Sequence, residues 1–281
     1  MGPQAFQQIN LNMLGLGNTI IGGTVLGEDY VDPSSFGNLA LWLKFNTAIF
    51  ADEPDAGNVV TMSHNDKINQ WQDQSGNDNH AVQTTSQDKP RWDTSNSEVD
   101  KGAPKFANTA KYFNLTEAIE ITGDFTVMIR FRLVDLNVSR SFIGNSSEDL
   151  FRAADATEFR SIIGGAGALA WDETSATALS LNDSTKRQIV TFTRNSGNLS
   201  VHVNGGTSAG GWNNEQDDVD WDSAETHSDT DTFTISNIGC AADDTENQNG
   251  WFYDVLIYDG IALNETQRKQ NYEYLNVKQY L

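Results

Sequence analysis

The stretch from Trp251 to Tyr258 (WFYDVLIY) constrains the fold more than any other part of the chain. It is aromatic and β-branched. Trp251, Tyr253, Val255 and Ile257 alternate with Phe252, Asp254, Leu256 and Tyr258, so both faces are largely apolar. Such a strand belongs in the middle of a sheet. Asp259-Gly260 is a turn signal, and Asn264 followed three residues later by Gln267 has the form of an N-cap with its capping-box partner. A closing helix is therefore expected, with Tyr274, Val277 and Leu281 on one face and Tyr272 and Leu275 beside them.

The rest of the chain supplies strands of the same antiparallel kind. Leu39–Phe45 (LALWLKF) sets Leu39, Leu41, Leu43 and Phe45 on one face. Phe125–Arg132 (FTVMIRFR) alternates most cleanly. Phe125, Val127, Ile129 and Phe131 point inward, while Thr126, Met128, Arg130 and Arg132 point out and predict a polar, reachable sheet face. Residues 188–194, 199–203 and 232–238 read as further strands, with Asn204-Gly205 as a hairpin signal. Short strands separated by turn clusters fit a two-sheet sandwich and not a parallel α/β plan.

WQDQSGNDNHA (Trp71 to Ala81), VHVNG (Val201 to Gly205) and the closing strand and helix occur in that order. Together they resemble the laminin-G-like, concanavalin-A-like jelly-roll family, over residues Gly37 to Leu281. The resemblance implies an all-β, two-sheet antiparallel jelly-roll sandwich with a C-terminal helix. In the first motif Asp73, Ser75 and Gly76 suit a tight turn, because Asp and Ser bond nearby backbone and Gly tolerates positive φ. The expected role of that motif is structural. The family includes lectins, glycanases, adhesion modules and virus particle proteins, so the fold alone does not select a function.

Residues 1–37 differ from the sandwich expected over 38–281. They are rich in Gln, Asn and Gly yet carry Ile9, Leu11, Met13, Leu14, Leu16, Ile20 and Ile21, too many apolar groups for a solvated linker. Two readings stand at this point: an extra strand or wrap on the chain's own sandwich, or an extended assembly arm that orders on another subunit or particle.

Charge excludes several classes. The formal net charge is -21, from 39 acidic and 18 basic residues, which repels phosphate backbones and anionic lipid surfaces and argues against nucleic acid as a partner. No apolar run is long enough to span a bilayer, so membrane insertion is not expected. Cys240 is the only cysteine, so the fold must stand on its hydrophobic core without an internal disulfide. The first basic residue is Lys44, and the start lacks the positive segment of an export signal. The expectation is synthesis and retention in the cytoplasm, or release by lysis.

The candidate chemistry is sparse. Family 16 glycoside hydrolases, which share the sandwich, carry Glu-x-Asp-x-x-Glu on one strand; the nearest run here, Glu215, Asp217 and Asp220, ends in Asp and sits in a loop-like acidic window. No catalytic residue is therefore assigned. Gly206 to Gly210 matches the letters of a nucleophile elbow and Gly165-Ala166-Gly167 echoes a dinucleotide loop, but neither leads into a helical pattern. The four histidines lie at no zinc-ligand spacing. No cofactor is required. Calcium is the one ion the loop chemistry allows, with Asp243, Asp244, Glu246, Asn247 and Asn249 as hard oxygen ligands, against the alternative of a solvated polar loop. For a carbohydrate, Trp171, Trp212 and Trp221 could stack on sugar rings while Arg130 and Arg132 grip hydroxyl or acidic groups. Alternatively the tryptophans pin loops and the arginines offset an acidic surface.

The leading expectation is a non-enzymatic virion protein, such as a phage capsid decoration, fibre or tail protein. It would display a lectin-like sandwich, use residues 1–37 for attachment, and assemble symmetrically with its own copies or with other virion proteins. The alternative is a bacterial surface or secreted carbohydrate-binding module that takes a cell-surface glycan.

Overall fold

A computed structural model describes residues 19–21, 24–26, 30–51, 62–94, 102–107, 111–134, 139–146, 148–155, 157–172, 187–204, 221–222, 227–241 and 247–277. The chain begins with a hairpin of β1 (Thr19–Ile21) and β2 (Thr24–Leu26), then a 3-10 turn at Pro33–Phe36. Next come β3 (Leu39–Leu43), β4 (Ile49–Phe50), β5 (Gln70–Trp71), β6 (Ala81–Val82), β7 (Arg91–Asp93) and β8 (Ala103–Phe106). The middle of the chain forms β9 (Phe113–Ile121), β10 (Phe125–Leu133), β11 (Arg140–Ser146), β12 (Asp149–Ala153), β13 (Glu158–Ile162) and β14 (Leu169–Asp172). The remaining elements are β15 (Gln188–Asn195), β16 (Asn198–Asn204), β17 (Trp221–Asp222), β18 (His227–Ser228), β19 (Phe233–Ile238), β20 (Gly250–Asp259) and the helix α1 (Glu265–Val277).

Two antiparallel sheets face each other, the jelly-roll sandwich expected. One runs β17-β16-β15-β10-β20-β8-β7, with β3 also paired to β20 and β18 to β16. The other runs β14-β13-β12-β11-β19-β9-β6-β5-β4. The closing strand lies where its composition put it: β20 is flanked by β10 on one side and by β3 and β8 on the other. Its Phe252, Val255 and Ile257 join a core to which both sheets contribute. Rings from opposite sheets lock the layers together: Phe151 stacks on Phe192 with centroids 4.5 Å apart, and Phe131 meets Phe142 edge-on at 4.8 Å. Aromatic pairs of this kind contribute about 0.5–1.5 kcal/mol each beyond the area they bury.

Helix α1 starts at the predicted cap. Asn264 N–H donates to Gln267 Oε1 and Gln267 N–H donates to Asn264 Oδ1, both at 3.0 Å, the reciprocal pattern of a capping box. Tyr272, Tyr274 and Leu275 are buried against Trp42, Met128, Ile189, Leu256 and Tyr258, a second apolar cluster outside the sandwich core. Buried Asn271 completes it, donating to the Tyr258 hydroxyl at 3.0 Å and to Met128 Sδ at 3.2 Å. The side chains of Val277 and Leu281 lie outside the described residues.

This helix overturns one expectation. The outward face of β10 is not a reachable polar surface: Thr126, Met128 and Arg130 are all buried. The alternation was real, but the layer that covers it comes from the end of the chain, and Thr126 Oγ1 turns its hydroxyl to the Ile261 carbonyl at 3.1 Å. Two alternation patterns are also broken by bulges. In β20 the register steps from Arg130↔Asp254 to Phe131↔Phe252, leaving Tyr253 as an extra residue that turns outward with Trp251. In β3 a shift opposite Ile257/Tyr258 separates Leu39, which packs under the helix, from Leu41 and Leu43 in the main core, while Phe45 joins Tyr253 and Trp251.

The WQDQSGNDNHA motif is structural, as expected. Asp73 Oδ1 accepts from Trp42 N–H and Ser75 N–H, both at 2.8 Å, and Oδ2 accepts from Ser75 Oγ at 2.7 Å and Asn79 N–H at 3.1 Å. Asn77 and Asn79 donate to the carbonyls of Leu39 and Ala40 at 2.7 and 3.0 Å, and Trp71 Nε1 donates to Lys44 O at 3.0 Å. The loop thus satisfies the backbone of β3 where that strand has no sheet neighbour for those groups.

The hairpin signal Asn204-Gly205 runs beyond the described residues, and a further tight turn lies upstream of it at Ser196-Gly197, both with positive φ, between β15 and β16. Asn204 ends β16, and Gly205 lies outside the described residues. The Gly165-Ala166-Gly167 segment lies between two strands, β13 and β14, with no helix after it.

Candidate functional site

Two surfaces could bear a function: the covered outer face of the sheet that carries α1, and the outward face of the opposite sheet.

The first holds a basic and aromatic cluster beyond the end of the helix. Arg130 pairs with Asp254 at 3.1 Å, their side chains only 1% and 0% exposed, and Arg130 Nη1 donates to the Leu275 carbonyl at 2.5 Å. Its guanidinium lies over the rings of Phe45 and Tyr253, at 5.2 and 5.1 Å. The Arg187 guanidinium also lies over the Tyr253 ring, at 5.2 Å. Burial pushes the Tyr253 phenol up from its ordinary value, and the three arginines Arg187, Arg132 and Arg130 pull against that shift. Trp251 is held between the Arg132 guanidinium at 4.8 Å and the Lys105 ammonium at 4.7 Å. Its Nε1 donates to Asp93 Oδ2 at 3.2 Å, which Lys105 also meets at 3.0 Å. Arg130 is therefore a structural anchor and cannot grip a ligand in this arrangement. Arg132 is half-buried and stacked on Trp251.

The second surface is the accessible polar one. Asn114, Thr116 and Glu120 of β9 are exposed, Thr234 and Ser236 of β19 are half-exposed, and Ser236 Oγ donates to exposed Asn145 of β11 at 2.7 Å. Farther across the same sheet, Arg152 of β12 stands directly opposite Arg160 of β13, and Arg160 stands opposite Ala170 of β14. Arg160 forms an ion pair with Glu158, their side chains 40% and 13% exposed. Between these two regions the sheet is covered: Gly144 has no room for a Cβ because Ala241 O would lie 2.6 Å away, and Arg140 Nη1 donates to Asn247 O at 3.0 Å. None of these face residues was singled out by sequence. β9 and β13 do alternate buried with exposed positions, but periodicity does not say which polar face stays uncovered.

Of the five carbohydrate candidates, the structure describes the side chains of Trp171, Arg130 and Arg132. Trp171 is 1% exposed, inside the sandwich core, with its ring 5.6 Å from Phe192 and 4.9 Å from His227, so it cannot stack on a sugar. It lies on β14 facing inward, where an apolar ring is drawn into the core. Trp221 pairs with Val203 in a short edge strand, and its side chain is outside the described residues, as is all of Trp212. Of the calcium candidates, Asp243, Asp244 and Glu246 lie outside the described residues. Asn247 and Asn249 are described, and their backbone carbonyls accept from Arg140 Nη1 at 3.0 Å and Val134 N–H at 2.9 Å. Among the described residues no group of three or more His, Cys, Asp or Glu side chains is placed to hold a metal ion. The acidic run Glu215, Asp217 and Asp220 is outside them too, as are Ile9, Leu11, Met13, Leu14 and Leu16; Ile20 and Ile21 lie in β1.

Comparison with known proteins gives likenesses only at the level of structure. No protein-family model matches the chain, and no curated protein matches it. Among solved structures it is similar to an arabinofuranosidase complexed with arabinofuranosyl-alpha-1,2-xylobiose, at 14% identity and a TM-score of 0.48, over 75% of this chain and 51% of that one. It is similar to the Ruminococcus gnavus IT-sialidase CBM40 bound to alpha2,3 sialyllactose, at 12% identity and a TM-score of 0.35, over 52% of this chain and 81% of that one. A third is the binding domain of botulinum neurotoxin serotype D/C, at 15% identity and a TM-score of 0.42, over 88% of this chain and 54% of that one. The chain thus spans about half the length of the arabinofuranosidase and of the neurotoxin domain. No helix among the described residues is long and apolar enough to cross a membrane.

Proposed function

We propose that this chain is a non-enzymatic glycan-binding sandwich whose binding surface is the outward face of the sheet opposite α1. The observation that carries the reading is that face itself, with Asn114, Thr116, Thr234, Ser236, Asn145 and Arg160 presenting amide, hydroxyl and guanidinium groups to solvent from rigid strands. Fixed donors and acceptors of this kind recognise polyhydroxylated ligands, and strands hold them better than loops do. A net charge of -21 keeps the protein away from nucleic acid and anionic lipid while leaving a neutral or locally matched saccharide free to approach.

The virion setting, with residues 1–37 as an attachment arm, is carried by the sequence alone. Of its apolar residues, Ile9, Leu11, Met13, Leu14 and Leu16 lie outside the described segments and Ile20 and Ile21 are described in backbone only, while Tyr30 and Phe36 near its end pack against the cluster under α1.

The test is titration of the full chain against a panel of neutral and acidic polysaccharides, alongside a variant combining Asn114→Ala, Thr234→Ala and Ser236→Ala. Saturable binding that weakens by about tenfold or more in the variant supports the reading. A flat response across the panel overturns it, and release of reducing ends from a bound polymer would replace binding by hydrolysis.

A further inference from the structure

A row of side chains crosses the outer face of the sheet that carries α1. Lys67 bridges to Arg91 of β7, Arg91 stands opposite Lys105 of β8, Lys105 opposite Trp251 of β20, and Trp251 opposite Arg132 of β10. Four of the chain's 18 basic residues thus share one row, although acidic residues number 39. Among the described residues, the cluster under α1 draws on β3, β10, β15 and β20 and on no residue of β7 or β8, and Lys67 and Arg91 are exposed. The backbone fixes the row. Trp92 N–H donates to Asp66 O at 2.8 Å and Ile68 N–H donates to Pro90 O at 2.9 Å, which seats Lys67 alongside β7. Neighbouring strands lie about 4.8 Å apart, and like charges directly opposed across them are destabilising. One end of the row is committed to the fold: Arg132 and Lys105 lie over the Trp251 ring, and Asp93 meets Lys105 at 3.0 Å. The other end is not. Lys67 donates to Ser86 Oγ at 2.7 Å, and neither Lys67 nor Arg91 meets a carboxylate among the described residues. The carboxylate of adjacent Asp66 is turned to the Ser63 N–H, at 2.7 Å.

We infer that this row is a second binding surface, separate from the face proposed above, and that it takes an anionic polysaccharide carrying a carboxylate or sulfate on successive sugars. Charges carried one per sugar match cations set one per strand, and the guanidinium fork of Arg91 fits either group. An anionic chain laid along Lys67, Arg91 and Lys105 relieves their mutual repulsion. Nucleic acid fits less well. A duplex carries one charge per about 1.7 Å, and a net charge of -21 repels so dense an anion everywhere outside the row.

The experiment is calorimetric titration of the full chain with polygalacturonate, dextran sulfate, neutral dextran and a single-stranded oligonucleotide, at low and at raised salt. It is repeated with Lys67→Gln/Arg91→Gln and with the Asn114→Ala/Thr234→Ala/Ser236→Ala variant of the opposite sheet. At least one anionic polysaccharide should bind more tightly than dextran and the oligonucleotide, and added salt should weaken it. The glutamine variant should bind it about tenfold or more less tightly, with the opposite-sheet variant unchanged. A response to polygalacturonate or to dextran sulfate tells a carboxylate site from a sulfate site. Both substituted side chains are exposed, so the glutamine variant should fold; if circular dichroism shows otherwise, Arg91→Gln alone takes its place, with a several-fold loss expected. Oligonucleotide binding as tight as that of the polysaccharides, anionic binding unchanged in the glutamine variant, or a loss confined to the opposite-sheet variant each overturns the inference. So does the lack of any response to the anionic polymers, and dextran binding in that case would leave the glycan-binding reading of the opposite face standing.

Discussion

Arg130 and Asp254 are partners across two adjacent strands in the middle of a sheet, and the same carboxylate that meets the guanidinium accepts the Phe45 N–H at 3.0 Å. One buried ion pair therefore ties together β10, β20, the chain just after β3 and, through the Leu275 carbonyl, the helix. Its removal by halves should be costly. Arg130→Ala or Asp254→Ala removes one half of a buried ion pair and is expected to lower unfolding stability by about 3–5 kcal/mol in urea titration, whereas the double change Arg130→Met/Asp254→Leu should cost clearly less than the two singles added. Strict additivity would show that the two groups do not act as a pair.

Asp73 supports a loop from a single carboxylate. Asp73→Ala orphans the N–H groups of Trp42, Ser75 and Asn79, and a loss of about 3 kcal/mol is expected, with Asp73→Asn intermediate because it keeps one acceptor. Denaturant midpoints of the two variants check this. Equal loss in both would point to charge and not to hydrogen bonding as the contribution of the residue.

Asp149 sets a pH dependence. Burial raises its carboxyl above the ordinary value, the Gly164 and Thr234 backbone donors oppose that, and Glu148 and Asp229 add to the rise. The folded state thus holds the proton more tightly than the unfolded chain. This group's contribution to stability is greatest below the ordinary carboxylate value and is lost as pH rises through the folded one. Asp149→Asn keeps an acceptor for the Gly164 N–H, now 2.9 Å away, without the charge. The variant should melt about 1–3 °C higher at neutral pH, with the gain vanishing below about pH 4. A gain that persists in acid would rule out the charge as its source.

Gly250 begins the central strand where a Cβ would lie 2.1 Å from the Arg132 carbonyl oxygen and 2.9 Å from Leu133 Cα, both backbone atoms that cannot swing away. Gly37, with φ +74, has nothing within 4 Å of a Cβ. Gly250→Ala should therefore cost about 3 kcal/mol or more, through displaced strands, and Gly37→Ala only about 1 kcal/mol, through backbone strain. Thermal melts of the two single variants rank them, and the reverse order would mean that β20 yields locally.

Much of the fold is legible in the residues. The strand at Trp251–Tyr258, the capping box at Asn264 and Gln267, and the inward set Phe125, Val127, Ile129 and Phe131 each depend on neighbours a few positions away, and each lies where its pattern puts it. What the pattern did not show was decided over distance. Arg130 reads as a surface residue because its partner Asp254 and its cover Leu275 lie far along the chain. Trp171 sits in a stretch with no alternation to mark it as core, yet its strand edge turns it inward. The outward face of β9 and β13 was not singled out because a polar side looks the same in sequence whether a helix later covers it or water does. Bulges such as the one at Tyr253 flip a side chain with no local signal at all.

The place of β20 also has a consequence for how the chain reaches its folded state. The Phe45 N–H and the Asp254 carboxylate that it needs are separated by 209 positions, and β3, β8 and β10 have β20 as their common neighbour. During synthesis the edges of those three strands that meet β20 stay unpaired until residues near 259 have emerged. Contacts of such long range make closure slow and expose apolar edges meanwhile. A nascent or truncated chain ending before Gly250 should therefore be the species that chaperones hold and that aggregates first.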